Sequence, residues 1–313
     1  MKKFLDLVEI RTKSASMIPF LMGTTYAWYR FDSFQIELFI LMLVSLLSFD
    51  MATTAINNYY DYYKAIKKHG YGYEAHNAIV RYKMNPSNVA LLIIFLLVLA
   101  IGAGVILFLH TGWLVLLLGG LSFGVGILYS FGPIPISRMP LGEIFSGLFM
   151  GFVIIYISTY IQVGNQLAIL TFEHNKILLE LVWTETLWLF LVSIPAILCI
   201  ANIMLANNIC DMEEDIENKR YTLPVYIGRE HALILFKMLY FASFIDLIVL
   251  YLLDVPPILL LIALLLIIPV TRNAKQFIAQ PVKRLTFKLA VSNFMLTNTS
   301  RIVVLVLAAW LRL

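Results

Sequence analysis

The chain has 313 residues, of which 61% are hydrophobic and only 13% charged; soluble globular domains run nearer half apolar and a quarter charged. A mean hydropathy of +0.86 excludes an ordinary soluble enzyme and makes this a polytopic membrane protein. The net charge of +4 is thinly spread and carries no nucleic-acid signature.

A helix needs roughly 20 apolar residues to cross the hydrocarbon core. On that rule the sequence predicts one all-α integral membrane domain over residues 1–313. It would hold about nine transmembrane helices: Ser16–Tyr29, Phe34–Asn57, Asn88–Leu109, Trp113–Ser130, Leu141–Gln162, Leu187–Asn208, Ala232–Leu253, Pro257–Val270 and Leu289–Leu311. The N-terminal MKKFLDLVEIRTKSAS has no long apolar run ending in a small-residue cleavage site, so no cleaved signal peptide is expected. Cys199 and Cys210 share one apolar segment and form neither a disulfide framework nor a metal motif.

Loop charge predicts the orientation. With nine spans, one side collects most of the lysines and arginines, from Lys2 to Lys288, and the other only Arg30, Lys176 and Arg312. The positive-inside rule then places the N-terminus in the cytoplasm, in the cell membrane, and the C-terminus outside. The loops Tyr62–Ser87 and Ile209–His231 fall on the cytoplasmic side and are long enough to cap a site.

Each of those loops follows an acidic cluster at the end of an apolar segment. The first is NNYYD, with Asn57 and Asp61; the second is NNICDMEED, with Asn207, Asn208, Asp211 and Asp215. Carboxylates beside hydrocarbon are expensive and signal function. Asn207, Asp211 and Asp215 are spaced i, i+4, i+8, one stripe of a helix, and Asn57 and Asp61 repeat the first step. Carboxylates one turn apart suit a hard cation such as Mg2+, which bridges one or two carboxylates to substrate phosphates. The topology puts both clusters on one side, where they can serve one site. Glu213, Glu214 and Glu217 are read as solvent-facing or paired with Lys219 and Arg220, and Asp50 as a cavity residue or an interhelical hydrogen-bond partner.

A diphosphate also needs cations around its oxygens. Arg81 and Lys64 follow the first cluster, Lys219 and Arg229 follow the second, and Arg138 lies between the fourth and fifth spans. Lys67, Lys68 and the group from Lys275 to Lys288 are read as headgroup contacts.

Three segments resemble the UbiA superfamily of intramembrane aromatic prenyltransferases, and within it the 1,4-dihydroxy-2-naphthoate polyprenyltransferases. They are NNICDMEEDIENKRYTLPVYIG (Asn207–Gly228), YSFGPIPISRMPLGEIFSGLFMG (Tyr129–Gly151) and RTKSASMIPFLMG (Arg11–Gly23). The resemblance implies that Asp61, Asp211 and Asp215 hold Mg2+, with Asn57 and Asn207 among the magnesium-diphosphate residues; Asn208, Lys64 and Lys219 are expected on the diphosphate beside them. It makes Arg81 and Arg138 phosphate contacts and Tyr129 a cavity residue near the reacting groups. Two positions depart from the pattern. Ala65 and Lys68 stand where the first motif carries a further Asp, so either Glu74 substitutes or the first cluster contributes one carboxylate only, and Cys210 stands where Arg is frequent.

The function implied is transfer of a polyprenyl group from an allylic diphosphate to 1,4-dihydroxy-2-naphthoate, with loss of carbon dioxide, in menaquinone synthesis. Other acceptors, such as 4-hydroxybenzoate, are the alternative within the class. A transporter lined by Asp246, Lys237, Asn293, Asn298 and Arg301 is the alternative outside it, although interhelical bonding or snorkelling suits those residues better. Prenyl chain length and oligomeric state are not readable from the sequence.

Overall fold

Helices are built wherever the apolar segments demand them, and polar residues mark where they begin. The computed structural model describes residues 1–64, 77–130 and 135–312, the side chains of Lys64, Ser130 and Glu173 apart. The described residues are almost wholly helical. They fall into two compact units: 1–17 with 36–127, and 18–35 with 128–313.

In the first unit a short helix α1 (Lys2–Leu7) and a 3-10 turn (Ile10–Lys13) lead into α2 (Ser14–Phe31). The long α3 (Ile36–Lys64) packs against α5 (Pro86–Thr111), with the one-turn α4 (Ala78–Arg81) between them in sequence and α6 (Trp113–Ser130) after them. Asparagines set two starts: Asn77 Oδ1 accepts from the Ile79 and Val80 amides at α4, and Asn85 Oδ1 from the Ser87 amide at α5, where Pro86 takes the first position. Gly112, at φ 89°, ends α5 in a conformation that costs other residues. Leu7, Ala55, Ala78, Ile79, Val89 and Ile93 form the core of this unit. The outward side of α5 shows Leu91, Ile94, Phe95, Val98 and Ile101, an apolar surface of the kind that faces lipid in a membrane helix. Lys13, 3% exposed, donates to Asp50 Oδ1 at 2.6 Å and Thr54 Oγ1 at 2.6 Å. Asp50 is therefore an interhelical partner, the second of its two expected roles.

The second unit runs from the later turns of α2 to α17. Its elements are α7 (Gly142–Leu148), a π-helical turn (Phe149–Val153), α8 (Ile154–Val163), strands β1 (Ala168–Glu173) and β2 (Lys176–Leu181), α9 (Trp183–Val192) and α10 (Ile194–Cys210). They continue with α11 (Met212–Glu217), α12 (Leu223–Ile227), α13 (Arg229–Ala242), α14 (Asp246–Leu252), α15 (Pro257–Leu265), α16 (Ile267–Ala279) and α17 (Phe287–Arg312). Gly147 and Gly151 let α7 and the π-helical turn after it lie on α10: a Cβ at either would come within 2.8 Å or 2.6 Å of Ile197 backbone atoms. Asp246 and Arg301, both 0% exposed, close a two-point ion pair at 2.9 and 3.0 Å. Asn293 Nδ2 donates to the Val270 carbonyl at 3.1 Å. These interhelical bonds occupy residues that a transport pathway would have needed.

Each predicted span coincides with a helix or a helix pair, but the count of nine is not reached by length and hydropathy. Among the described residues six helices qualify, and seven if α9 and α10, bent by 46°, form one crossing. The bend follows from Ser193, whose hydroxyl bonds back to the Leu189 carbonyl, and Pro195, which cannot continue the amide ladder. The second span was expected to end at Asn57, but α3 continues to Lys64, so the first cluster is helical throughout. The antiparallel β1–β2 hairpin was not foreseen, because neither strand alternates: β1 runs from buried Ala168 to exposed Phe172, and β2 is exposed throughout.

Candidate active site

The second cluster keeps its predicted stripe, with a break in it. α10 ends at Cys210, Asp211 has φ −98° and ψ 6°, and α11 begins at Met212. Backbone bonds nevertheless run from the Asp211 amide to Asn207 (3.1 Å) and from the Asp215 amide to Asp211 (2.8 Å), so the one-turn spacing survives.

Asp215 is 4% exposed and accepts from Thr222 Oγ1 at 3.1 Å, with Arg220 3.9 Å from its other oxygen. Burial raises its pKa above the ordinary aspartate range; the Thr222 hydrogen bond and the Arg220 charge oppose that rise. Asp211 accepts a charged hydrogen bond from Lys283, on the turn between α16 and α17. Lys283 had been grouped with the headgroup contacts. The turn that carries it, closed by Thr286 on the Gln280 carbonyl at 2.6 Å, is what brings it to the carboxylate.

Glu213, Glu214 and Glu217 face solvent, the first of their two expected roles. Glu213 meets Arg229 at 3.4 Å, and Arg220 approaches Asp215 rather than a glutamate. Lys219 is exposed at φ 53°, and Asn207 is half-buried at the last turn of α10. The Asn208 side chain, expected on the diphosphate, donates to Glu143 Oε1 at 2.9 Å. Glu143, the acid of the Leu-Gly-Glu stretch, lies in the first turn of α7 and is buried, and no local spacing marks it as part of the cluster. Tyr129 donates to Met204 Sδ at 3.3 Å, one turn before Asn208. Arg138 has an exposed side chain, and its carbonyl receives the Tyr221 amide at 3.1 Å, which joins its turn to the segment after α11.

The first cluster lies in the first unit. Asn57 is half-buried and Asp61 exposed on the last turns of α3. Three unforeseen residues frame it. Asn58 Nδ2 donates to the Leu7 carbonyl at 3.2 Å, and Asn77 Nδ2 donates to the Asn58 carbonyl at 2.7 Å. Asp6 then meets the α4 end, bonding the Tyr82 hydroxyl and standing 3.9 Å from Arg81. Their signal was local: Asn77 precedes a helical turn as a capping residue does. Glu74, Ala65, Lys67, Lys68 and the Lys64 side chain lie outside the described residues, as do 131–134 of the Tyr-Ser-x-Gly-Pro segment.

Among the described residues no group of three or more His, Cys, Asp or Glu is gathered to hold a metal. The donor set of the second cluster still fits Mg2+: two carboxylates one turn apart, one already holding a cationic ammonium.

The sequence model of the UbiA prenyltransferase family matches residues 16–298. The chain belongs to that family. A family relative in Bacillus subtilis (strain 168), 1,4-dihydroxy-2-naphthoate octaprenyltransferase, is 34% identical over 233 residues, covering 74% of this chain and 67% of that protein. Among solved structures, a UbiA homolog from Aeropyrum pernix K1 has a TM-score of 0.64 at 18% identity, covering 92% of this chain and 97% of that one. A UbiA homolog from Archaeoglobus fulgidus bound to GPP and Mg2+ has a TM-score of 0.58 at 15% identity, covering 97% and 99%. The UbiA family match runs through both units, and the fold is the all-helical membrane fold of these homologs.

Proposed function

We propose that this chain transfers a polyprenyl group from an allylic diphosphate to 1,4-dihydroxy-2-naphthoate, as a step of menaquinone biosynthesis. The observation that carries the reading is the Asn207–Asp211–Asp215 stripe, with Lys283 on Asp211, in a chain 34% identical to a naphthoate octaprenyltransferase. The GPP and Mg2+ bound by a UbiA homolog of the same fold support an allylic diphosphate and a divalent cation as the ligand pair.

Asp61, Asp211 and Asp215 would hold Mg2+, which when bound supplies positive charge to the leaving diphosphate. Arg81, Arg138, Lys64 and Lys219 donate to its oxygens, and the Asn57, Asn207 and Asn208 amides orient the acids and phosphates. The allylic C–O bond breaks and its electron pair leaves with the diphosphate. The ring carbon of the acceptor that bears the carboxylate then forms the new C–C bond. The C–carboxylate bond at that same carbon breaks, its electrons restore the ring, and carbon dioxide departs, so no oxidant or reductant is required. Tyr129 stands beside the reacting groups. Apolar helix faces keep water from the allylic cation.

In this reading the chain is one prenyltransferase domain crossing the cell membrane nine times. Its N-terminus, both acidic clusters and the loops that follow them face the cytoplasm.

The test is product formation by purified protein given 1,4-dihydroxy-2-naphthoate and a polyprenyl diphosphate, with and without Mg2+, beside Asp211→Ala. A magnesium-dependent prenylated naphthoquinol, absent in the variant, is the expected result. Turnover with 4-hydroxybenzoate alone would keep the reaction class and replace the acceptor. No diphosphate consumption by folded protein would end the proposal.

A further inference from the structure

Glu143 carries an unanswered hydrogen-bond acceptor. Its side chain belongs to a residue 4% exposed; Oε1 is satisfied by Asn208 Nδ2 at 2.9 Å, while Oε2 is buried with no partner among the described residues. Of the buried side-chain atoms without a partner among the described residues, it is the only carboxylate oxygen. An orphaned buried acceptor of this kind is costly and calls for a partner, whether ligand, ion or water.

The surroundings are those of the second acidic cluster. Asn208 fixes the carboxyl plane from α10 and neighbours Asn207, which leads the cluster. Tyr129 borders the same place: a Cβ on Gly142, the residue before Glu143, would lie 3.4 Å from the Tyr129 hydroxyl. That hydroxyl spends its proton on Met204 Sδ, a weak acceptor.

The chemistry of the free oxygen selects between the two substrates of the proposed reaction, on which this inference rests. A carboxylate oxygen accepts and does not donate. It repels an anionic diphosphate, and a hydrocarbon tail offers it nothing. The aromatic acceptor alone carries O–H donors.

We propose that Glu143 is an acceptor-recognition residue whose Oε2 takes the hydrogen bond of a ring hydroxyl, with Asn208 as the positioning residue that aims it. A hydroxyl donating to a carboxylate passes electron density into its ring, which favours attack by that ring on an allylic cation. The same contact makes the site reject rings that lack the hydroxyl.

Glu143→Gln tests this while preserving shape: its amide oxygen can still accept from Asn208, and its amide nitrogen replaces the free acceptor with a donor. The measurements are kcat and KM for 1,4-dihydroxy-2-naphthoate, 1-hydroxy-2-naphthoate and 4-hydroxy-2-naphthoate, and the Kd for geranyl diphosphate with Mg2+. Wild type should discriminate against one monohydroxy ring by roughly 10- to 100-fold, and the variant should lose that discrimination. The geranyl diphosphate Kd should stay within about twofold, showing an intact fold and diphosphate site. Unchanged discrimination in Glu143→Gln overturns the proposal and leaves Oε2 to a trapped water. An equal loss of geranyl diphosphate affinity overturns it in favour of a structural role. If wild type turns over only 4-hydroxybenzoate, the naphthoate reading fails separately, and benzoate against 4-hydroxybenzoate makes the same comparison.

Discussion

Lys283 places its ammonium on Asp211 Oδ2, joining the turn after α16 to the residue where α10 ends. A cation thus already sits on a carboxylate proposed to hold Mg2+. The side chain of Lys283 is half exposed, so solvent screens the pair and its worth is modest.

Metal and ammonium should therefore compete. Lys283→Gln is expected to lower the Mg2+ concentration for half-maximal turnover by roughly two- to fivefold. A magnesium titration of wild type and variant decides it. An unchanged midpoint with a reduced maximal rate would assign Lys283 to the diphosphate instead.

Asp215 predicts a pH dependence with a definite sign. Burial raises its folded pKa, so in metal-free protein its ionisation opposes folding above the ordinary aspartate pKa. Asp215→Asn should consequently raise the metal-free Tm at neutral pH. Mg2+ needs the ionised form, so stabilisation by Mg2+ with geranyl diphosphate should fade on acidification at a higher pH than an ordinary aspartate would set. Thr222→Val removes a hydrogen bond that favours ionisation and should shift that edge higher still. Thermal shifts across pH would show it, and coincident wild-type and Thr222→Val edges would contradict it.

Asp6 and Tyr82 anchor the segment that carries Arg81. Arg81→Ala should weaken geranyl diphosphate binding by roughly 10- to 100-fold, the range for a hydrogen bond to a charged group. Asp6→Ala should weaken it by about two- to fivefold. In the Arg81→Ala background the Asp6 change should have no further effect, since it acts through the guanidinium. Additive losses in calorimetric titrations would refute that coupling.

The buried Arg301–Asp246 pair should be worth more to break than to replace. Arg301→Met strands a carboxylate among apolar helices and should cost about 3–5 kcal/mol. The double change Asp246→Leu with Arg301→Met should recover most of it. Thermal denaturation in detergent is the check; a double variant as unstable as the single one would show that the pair is not replaceable.

What the sequence determined by itself was whatever depends on residues near one another along the chain. Hydropathy over windows of about 20 residues located every long helix, because crossing hydrocarbon leaves the backbone no alternative. Fourfold spacing put Asn207, Asp211 and Asp215 on one stripe, and the backbone bonds kept it there even across the break at Asp211. Only the tertiary structure decided which distant side chains answer those residues. Lys283 lies 72 positions from Asp211, and Glu143 lies 65 from Asn208. Neither separation has a period or a propensity attached to it. They meet because Gly147 and Gly151 allow α7 close to α10 and because a turn closed by Thr286 carries Lys283 to α10's end. The bend at Ser193 and the β1–β2 hairpin were hidden for a related reason. A hydropathy window averages over a local break, and neither strand carries an alternating signal.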